Sequence, residues 1–273
     1  MPELPEVETV RRSLLPHLVG RRIEAVTVWE HRLRRPVDVA ALDRLRGRTV
    51  TDLTRRAKYL VIHLGDADRL VVHLGMSGRL YLVERDVPRE PHVHVGFDLD
   101  DGSQLRFRDH RRFGLVEVID VHGLAVDRRF AALGVEPLSR ACTAALLRQE
   151  ARGLRLPVKS FLMDARRVVG IGNIYANEAL FLARIHPLRP AGRLSRERWE
   201  RLVSAVRRVL RAAIRAGGTT LNDFQNGLGD PGYFQVRLRV YGREGEGCSV
   251  CGSPVRRSVL SGRSTYYCGR CQR

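Results

Sequence analysis

The chain opens with a secondary amine beside a carboxylate, Pro2-Glu3, in the run Pro2-Glu3-Leu4-Pro5-Glu6. With Met1 removed, as a small second residue permits, the Pro2 nitrogen is an α-amino group with an ordinary pKa of about 7.7–8.0. A useful fraction is then neutral at neutral pH, and such an amine attacks carbonyl-like carbon to form a Schiff base. Glu3 is placed to give and take protons. The same run also reads as a helix start, with Pro5 in the first turn and Glu6 and Glu8 complementing its positive end. A second reactive group lies far along the chain: Cys248-x2-Cys251, sixteen residues, then Cys268-x2-Cys271. Four thiolates in two tight pairs match a closed tetrahedral zinc site, structural because no ligand position stays open.

These groups need elements to hold them. Over 5–18 apolar residues recur at Val7, Val10, Leu14 and Leu18, with Gly20 as a stop, which predicts an amphipathic helix carrying the N-terminus. The period then changes to strand-like runs at 23–29, 59–64, 70–74, 80–83, 92–99, 105–108 and 115–119, most of them separated by Gly, Asp or Pro. Many short strands at this spacing predict a β-sandwich or barrel. Near Leu133-Gly134-Val135-Glu136-Pro137-Leu138 the pattern turns helical, which sets a domain boundary. After Ser195, residues Trp199, Leu202, Val203, Val206, Val209, Leu210, Ala213 and Ile214 form one apolar face, arginines occupy the other, and Gly217-Gly218 ends the helix. Between the cysteine pairs, 255–260 and 264–267 predict a β-hairpin turning at Ser261-Gly262-Arg263. From 235 onward eight arginines face only Glu244 and Glu246, so the hairpin suits a DNA groove.

The totals agree. Lys plus Arg is 48 against 30 Asp plus Glu, a net charge of +18, and the sequence pI is near 11.0, which points to a polyanionic partner with nucleic acid first. No apolar run approaches the ~18 residues that span a bilayer, and no apolar-centred N-terminal signal is visible. A cytosolic protein is expected. Four cysteines at metal spacing and a solitary Cys142 fit a reducing compartment better than a disulfide framework.

Five blocks together carry a family likeness: Pro2-Glu3-Leu4-Pro5-Glu6-Val7-Glu8-Thr9, Arg56-Ala57-Lys58-Tyr59-Leu60, His73-Leu74-Gly75-Met76-Ser77-Gly78, Gly170-Ile171-Gly172-Asn173-Ile174-Tyr175-Ala176 and the four-cysteine hairpin. In this order they resemble bacterial formamidopyrimidine-DNA glycosylase, from residue 2 to the end. The resemblance implies an α+β fold: an N-terminal β-sandwich with an N-terminal helix, then a C-terminal helical helix-two-turn-helix domain with a four-cysteine zinc-finger β-hairpin. It divides the chain into a catalytic domain 2–134, a helix-two-turn-helix domain 135–236 with a lesion-capping loop, and a zinc finger 237–273. It also implies a monomer acting in the bacterial cytoplasm on double-stranded DNA across an interdomain cleft. There it excises 8-oxoguanine and formamidopyrimidines and cuts the strand by β- and δ-elimination. One structural zinc is implied, and no redox or organic cofactor.

Residue by residue, the resemblance makes Pro2 the nucleophile, Glu3 the proton donor and acceptor, Lys58 a phosphate-contacting catalytic lysine, and Arg263 the phosphate-gripping arginine of the finger. Asn173 and Lys159 are implied phosphate contacts, and His92 is counted with the DNA-binding residues. As two histidines on one strand face without a third ligand, however, His92 and His94 read as structural. Met76, Arg111 and Phe113 resemble a trio that fills the hole left by a flipped base, with Arg111 facing the orphaned cytosine. Where the family usually has proline, this chain has His110 and Val135. Glu6, Thr219, Thr220 and Tyr233 are the implied lesion pocket, the last three on a loop that caps 8-oxoguanine. Its middle, from Gln225 to Pro231, departs from the commonest family pattern. Two rivals stand beside this reading: an endonuclease VIII-like enzyme for oxidised pyrimidines, and a non-catalytic binder of damaged DNA.

Overall fold

A computed structural model describes residues 2–66, 68–120, 127–219, 226–230 and 238–273. The chain forms two compact units, one of Met1–Ala131 with Ala216–Tyr233 and the other of Ala132–Arg215 with Phe234–Arg273.

The first unit begins with α1 (Leu4–Leu18), whose apolar positions Leu4, Val7, Val10, Leu14 and Leu18 are all buried. Its N-cap is Glu3, whose carboxylate accepts the backbone N–H of Glu6 while the Glu6 carboxylate accepts the N–H of Glu3, a reciprocal cap. Strands β1 (Ile23–Val28), β6 (Val93–Leu99), β7 (Ser103–Arg108) and β5 (Arg79–Glu84) make one antiparallel sheet in the order β1-β6-β7-β5. The other sheet runs β2-β3-β4-β8, from β2 (Val50–Arg56), β3 (Tyr59–Leu64), β4 (Asp68–His73) and β8 (Leu115–Asp120). Leu53, Leu60, Ile62 and Val72 from one sheet and Val95, Phe97 and Phe107 from the other share one core with the apolar face of α1. Two short helices, α2 (Val39–Asp43) and α3 (Arg128–Ala131), complete the described elements of this unit.

Strand β2 carries no strand-like pattern in the sequence for a physical reason. Its burial does not alternate, and its pairing with β3 slips between Val50 and Asp52, so the period-two signal is broken by a bulge. A similar slip between Val93 and Val95 corrects the histidine pair: His92 lies before β6 with φ +69 and is exposed, whereas His94 is buried with Nε2 2.7 Å from the Asp109 carbonyl. They do not share a strand face.

The second unit is helical. It comprises α4 (Ala144–Glu150), α5 (Val158–Met163), α6 (Asn173–Leu182) and the 20-residue α7 (Arg196–Arg215). All eight apolar residues expected on α7 are buried, and Trp199 packs edge-on against Phe161 of α5 with ring centroids 5.2 Å apart. Strands β9 (Val255–Leu260) and β10 (Arg263–Cys268) form the hairpin. Ser261 and Gly262 both take positive φ, as a two-residue hairpin turn requires. Arg263 therefore starts β10, paired with Leu260, and is not part of the turn. The segment leading into the hairpin is fixed by Glu178, whose buried carboxylate accepts the N–H groups of Arg239, Val240 and Tyr241.

Candidate active site

The start of α1 sets the first site. Pro2 is half-buried, and Glu3 and Glu6 are buried. One Glu6 oxygen accepts Glu3 N–H at 2.8 Å and the other accepts Thr219 N–H at 2.9 Å. Glu6 thus ties the residues beside the amine to Thr219, and two implied pocket residues meet. Thr220 and Tyr233 lie outside the described residues, as does Met1. The described part of the segment expected to cap the lesion, 226–230, is held to the same helix: Gly227 N donates to Ser13 Oγ at 2.8 Å, and its carbonyl accepts Leu82 N–H of β5.

Helix α1 packs on β2 and β3, and the two-residue loop between those strands is Ala57-Lys58. Ala57 has φ +54, so the loop is sharply turned. It is braced by Arg55, which donates to the Ala57 carbonyl at 2.8 Å and pairs with Glu8 of α1 at 3.2 Å. Arg11 and Arg12 also bind Glu8, and these guanidinium contacts hold its carboxyl below the usual range against the opposing effect of burial. The helix that carries Pro2 and the turn that carries Lys58 are therefore clamped by one carboxylate. Next to Lys58, the Tyr59 ring lies 4.8 Å from that of His73. Burial pushes the His73 pKa down to about 4, with repulsion from Arg34 and Lys58 adding to it, and the Nδ1 of the neutral ring accepts Gly75 N–H.

The three residues proposed to fill a vacated base stack come together on two loops. Gly75, at φ +65, approaches the second loop so closely that a Cβ there would lie 2.5 Å from the Phe113 carbonyl carbon. Asp109, fully buried, joins both loops: it accepts the Ser77 hydroxyl, Arg111 N–H and Gly114 N–H. Met76 and Phe113 stand 43% and 46% exposed, and the Arg111 guanidinium lies 4.8 Å over the Phe113 ring. These are apolar side chains on braced loops, not core. The rigidity that a proline at His110 would supply comes here from the neighbouring carboxylate. Nothing in the sequence singled out Asp109, because its partners lie up to 32 residues away.

In the second unit, Asn173 is the first residue of α6 after the Gly172 cap, with Gly170 at φ +78 turning the chain ahead of it. Lys159, the other implied phosphate contact, lies on α5. It is not a surface cation but 1% exposed, donating to the Ser264 carbonyl at 2.9 Å and the Thr265 hydroxyl at 2.7 Å on β10. Its charge makes burial costly unless hydrogen-bonded, and β10 supplies those bonds. Arg263 is exposed at the head of the same strand.

Cys248, Cys251, Cys268 and Cys271 place their four sulfurs within 4.8 Å of one another, with Sγ–Sγ distances of 3.9 Å and 3.5 Å in two of the pairs, and all are free thiols. Bonds of ~2.3 Å to one tetrahedral zinc put sulfurs roughly 3.8 Å apart, so the cluster fits a structural Zn2+. Burial and the adjoining thiols push Cys271 up to about 12, a crowding that a divalent cation relieves. The ion would close the hairpin and supply no open coordination position.

Comparison with known proteins covers the whole chain. Residues 1–116 match the formamidopyrimidine-DNA glycosylase N-terminal domain, 133–225 the formamidopyrimidine-DNA glycosylase H2TH domain, and 245–273 a zinc finger found in FPG and IleRS. The chain is 53% identical to the formamidopyrimidine-DNA glycosylase of Halorhodospira halophila and 50% identical to that of Syntrophotalea carbinolica, each over 100% of both chains. Among solved structures it is similar to a Lactococcus lactis FPG mutant bound to DNA containing Fapy-dG, with TM-score 0.92, 34% identity and 99% of each chain covered. The Lactococcus lactis Fpg has also been solved with an abasic site containing DNA, and with an oxidized pyrimidine containing DNA, each at TM-score 0.91 and covering 99% of each chain, with 34% and 35% identity. With a buried carboxylate at the amine-bearing helix start, a four-thiol cluster in the hairpin and matches from end to end, the chain belongs to the formamidopyrimidine-DNA glycosylase family.

Proposed function

We propose that the chain is a bifunctional DNA glycosylase and AP lyase of base excision repair, excising oxidised purines from duplex DNA. The observation that carries this reading is the full-length likeness to relatives of that name, one of which has been solved on DNA bearing Fapy-dG and an abasic site. The target nucleotide must leave the stack, at a cost of a few kcal/mol. Met76, Phe113 and Arg111 fill the hole it leaves, with Arg111 toward the orphaned cytosine. An exposed apolar wedge is useful only if held rigid, and Asp109 supports that.

The neutral Pro2 nitrogen attacks C1′ as the bond to the base breaks, and the base leaves with the electron pair and takes up the proton that the Pro2 nitrogen gives up on bonding to C1′. Glu3 protonates the ring oxygen as the sugar opens, giving an iminium ion between the Pro2 nitrogen and C1′. That cation acidifies C2′. Loss of the C2′ proton breaks the C3′–O bond, a second elimination from C4′ breaks the C5′–O bond, and water then frees Pro2. Phosphate remains on both ends of a one-nucleotide gap. Lys58, Asn173 and Arg263 hold the phosphates around the lesion, the first on its clamped hairpin and the others in the second unit. Glu6 contributes to the lesion pocket, with Thr219, Thr220 and Tyr233 on the loop that caps it.

The functional division we propose is 2–134, 135–236 and 237–273, with the chain working in the bacterial cytoplasm at the nucleoid. No described helix is long and apolar enough to cross a membrane. A pyrimidine-directed enzyme is the second reading, kept because the Lactococcus relative was solved on an oxidised pyrimidine. Single-turnover excision of 8-oxoguanine, formamidopyrimidine and thymine glycol, with Pro2→Gly alongside, tests both. Purine lesions should be removed faster, and Pro2→Gly should abolish removal. Preference for thymine glycol would select the second reading, and full activity of Pro2→Gly would sink both.

A further inference from the structure

Among the described residues the outer edge of β10 has no third strand. In a two-stranded hairpin the outward backbone groups fall on alternate residues, here Ser264, Tyr266 and Cys268, and buried edges need partners. Side chains supply them. The Ser264 carbonyl accepts from Lys159 Nζ and from Asn173 Nδ2 at 3.0 Å, Tyr266 N–H donates to Asn177 Oδ1 at 2.8 Å, and Cys268 N–H donates to Gln272 Oε1 at 2.9 Å. Asn177 does more than close the edge. It lies one turn beyond Asn173 on α6, is 1% exposed, and its Nδ2 donates to the Asn173 carbonyl at 2.6 Å. One buried amide therefore holds the first turn of α6 with one end and β10 with the other. Arg263 sits three residues before Tyr266, about 10 Å along the strand.

We propose that Asn177 is a positioning residue for strand cleavage: it fixes β10, and with it Arg263, against the Asn173 turn, so that both reach the DNA phosphates as one rigid piece. This rests on the reading of Arg263 as a phosphate-holding residue given above; once β-elimination has freed the 3′ side of the sugar, the phosphate on C5′ is the leaving group of the δ step, which is therefore the step most sensitive to a misplaced grip. An amide is suited to the task because it offers an acceptor to Tyr266 and a donor to Asn173 at once. Leucine, of similar size, offers neither and leaves the Tyr266 N–H unpaired in a dry site.

The test is product partition on a duplex with a preformed abasic site, measuring the β-elimination product against the β,δ-product, together with zinc content and borohydride trapping at Pro2. In Asn177→Leu the δ step should slow about tenfold, the size expected for a lost buried hydrogen-bonded pair, while trapping stays within about twofold and zinc at one per chain. Arg263→Ala should stall at the same product. If Arg263→Ala stalls but Asn177→Leu partitions like the wild type, the positioning role is wrong. If Arg263→Ala does not stall, the reading of Arg263 beneath it is wrong. Should Asn177→Leu lose zinc, Asn177→Asp decides: it keeps the acceptor for Tyr266 and loses the donor to Asn173, so it should stall partially, and wild-type partition would overturn the role.

Discussion

His73 links the chemistry of single residues to pH. Its ring lies against Tyr59, its Nδ1 accepts Gly75 N–H, and burial pushes its pKa down to about 4 from an ordinary 6.5. Between those values the unfolded chain binds a proton that the folded chain refuses, so stability rises with pH across that window. The contribution is complete above about 6.5 and disappears as pH falls toward 4, a total of about 3 kcal/mol. His73→Gln keeps an acceptor for Gly75 without titrating. Denaturant unfolding of both proteins from pH 7 to 4 should show the wild type losing stability relative to the variant by roughly this amount, and a constant difference would contradict it. Residues of this kind were the least legible in the sequence. Pro2, Glu3 and the cysteines announce themselves by type and spacing, but Asp109, Lys159 and Asn177 are polar residues whose partners lie 32, 105 and 89 positions away. Only the fold reveals that they are buried.

At the scale of elements, legibility followed periodicity. The apolar face of α7 could be read residue by residue because twenty residues repeat the helical period. Strand β3 was read at its observed bounds, whereas β2 was hidden by its bulge and α2, at five residues, is too short to show a period. The pair of loops bearing Met76 and Phe113 depends on backbone proximity that no pattern encodes. It yields a direct prediction. A Cβ at Gly75 would collide with the Phe113 backbone, which cannot yield as a side-chain tip would, and Gly75 is also at positive φ. Gly75→Ala should separate the loops and slow excision of 8-oxoguanine from duplex DNA by about tenfold or more, since small misplacements are expensive in catalysis. Cleavage of a preformed abasic site should suffer less, because the chemistry of Pro2 is not touched. Equal losses on both substrates would show that the loops do not serve base displacement.

For the whole molecule, a net charge of +18 and the proposed DNA partner imply a steep salt dependence. If about six phosphates are contacted, log K should fall against log salt with a slope of roughly −5, and a flat response in a titration from low to moderate salt would contradict phosphate gripping by Lys58, Asn173 and Arg263. The central claim concerns one covalent bond, between the Pro2 nitrogen and C1′. Borohydride trapping on a duplex carrying 8-oxoguanine opposite cytosine, followed by mass mapping of the crosslinked peptide, tests it directly. The account predicts a crosslink at Pro2, on a chain from which Met1 has gone. A crosslink at another residue, or none on either this duplex or an abasic one, would contradict it.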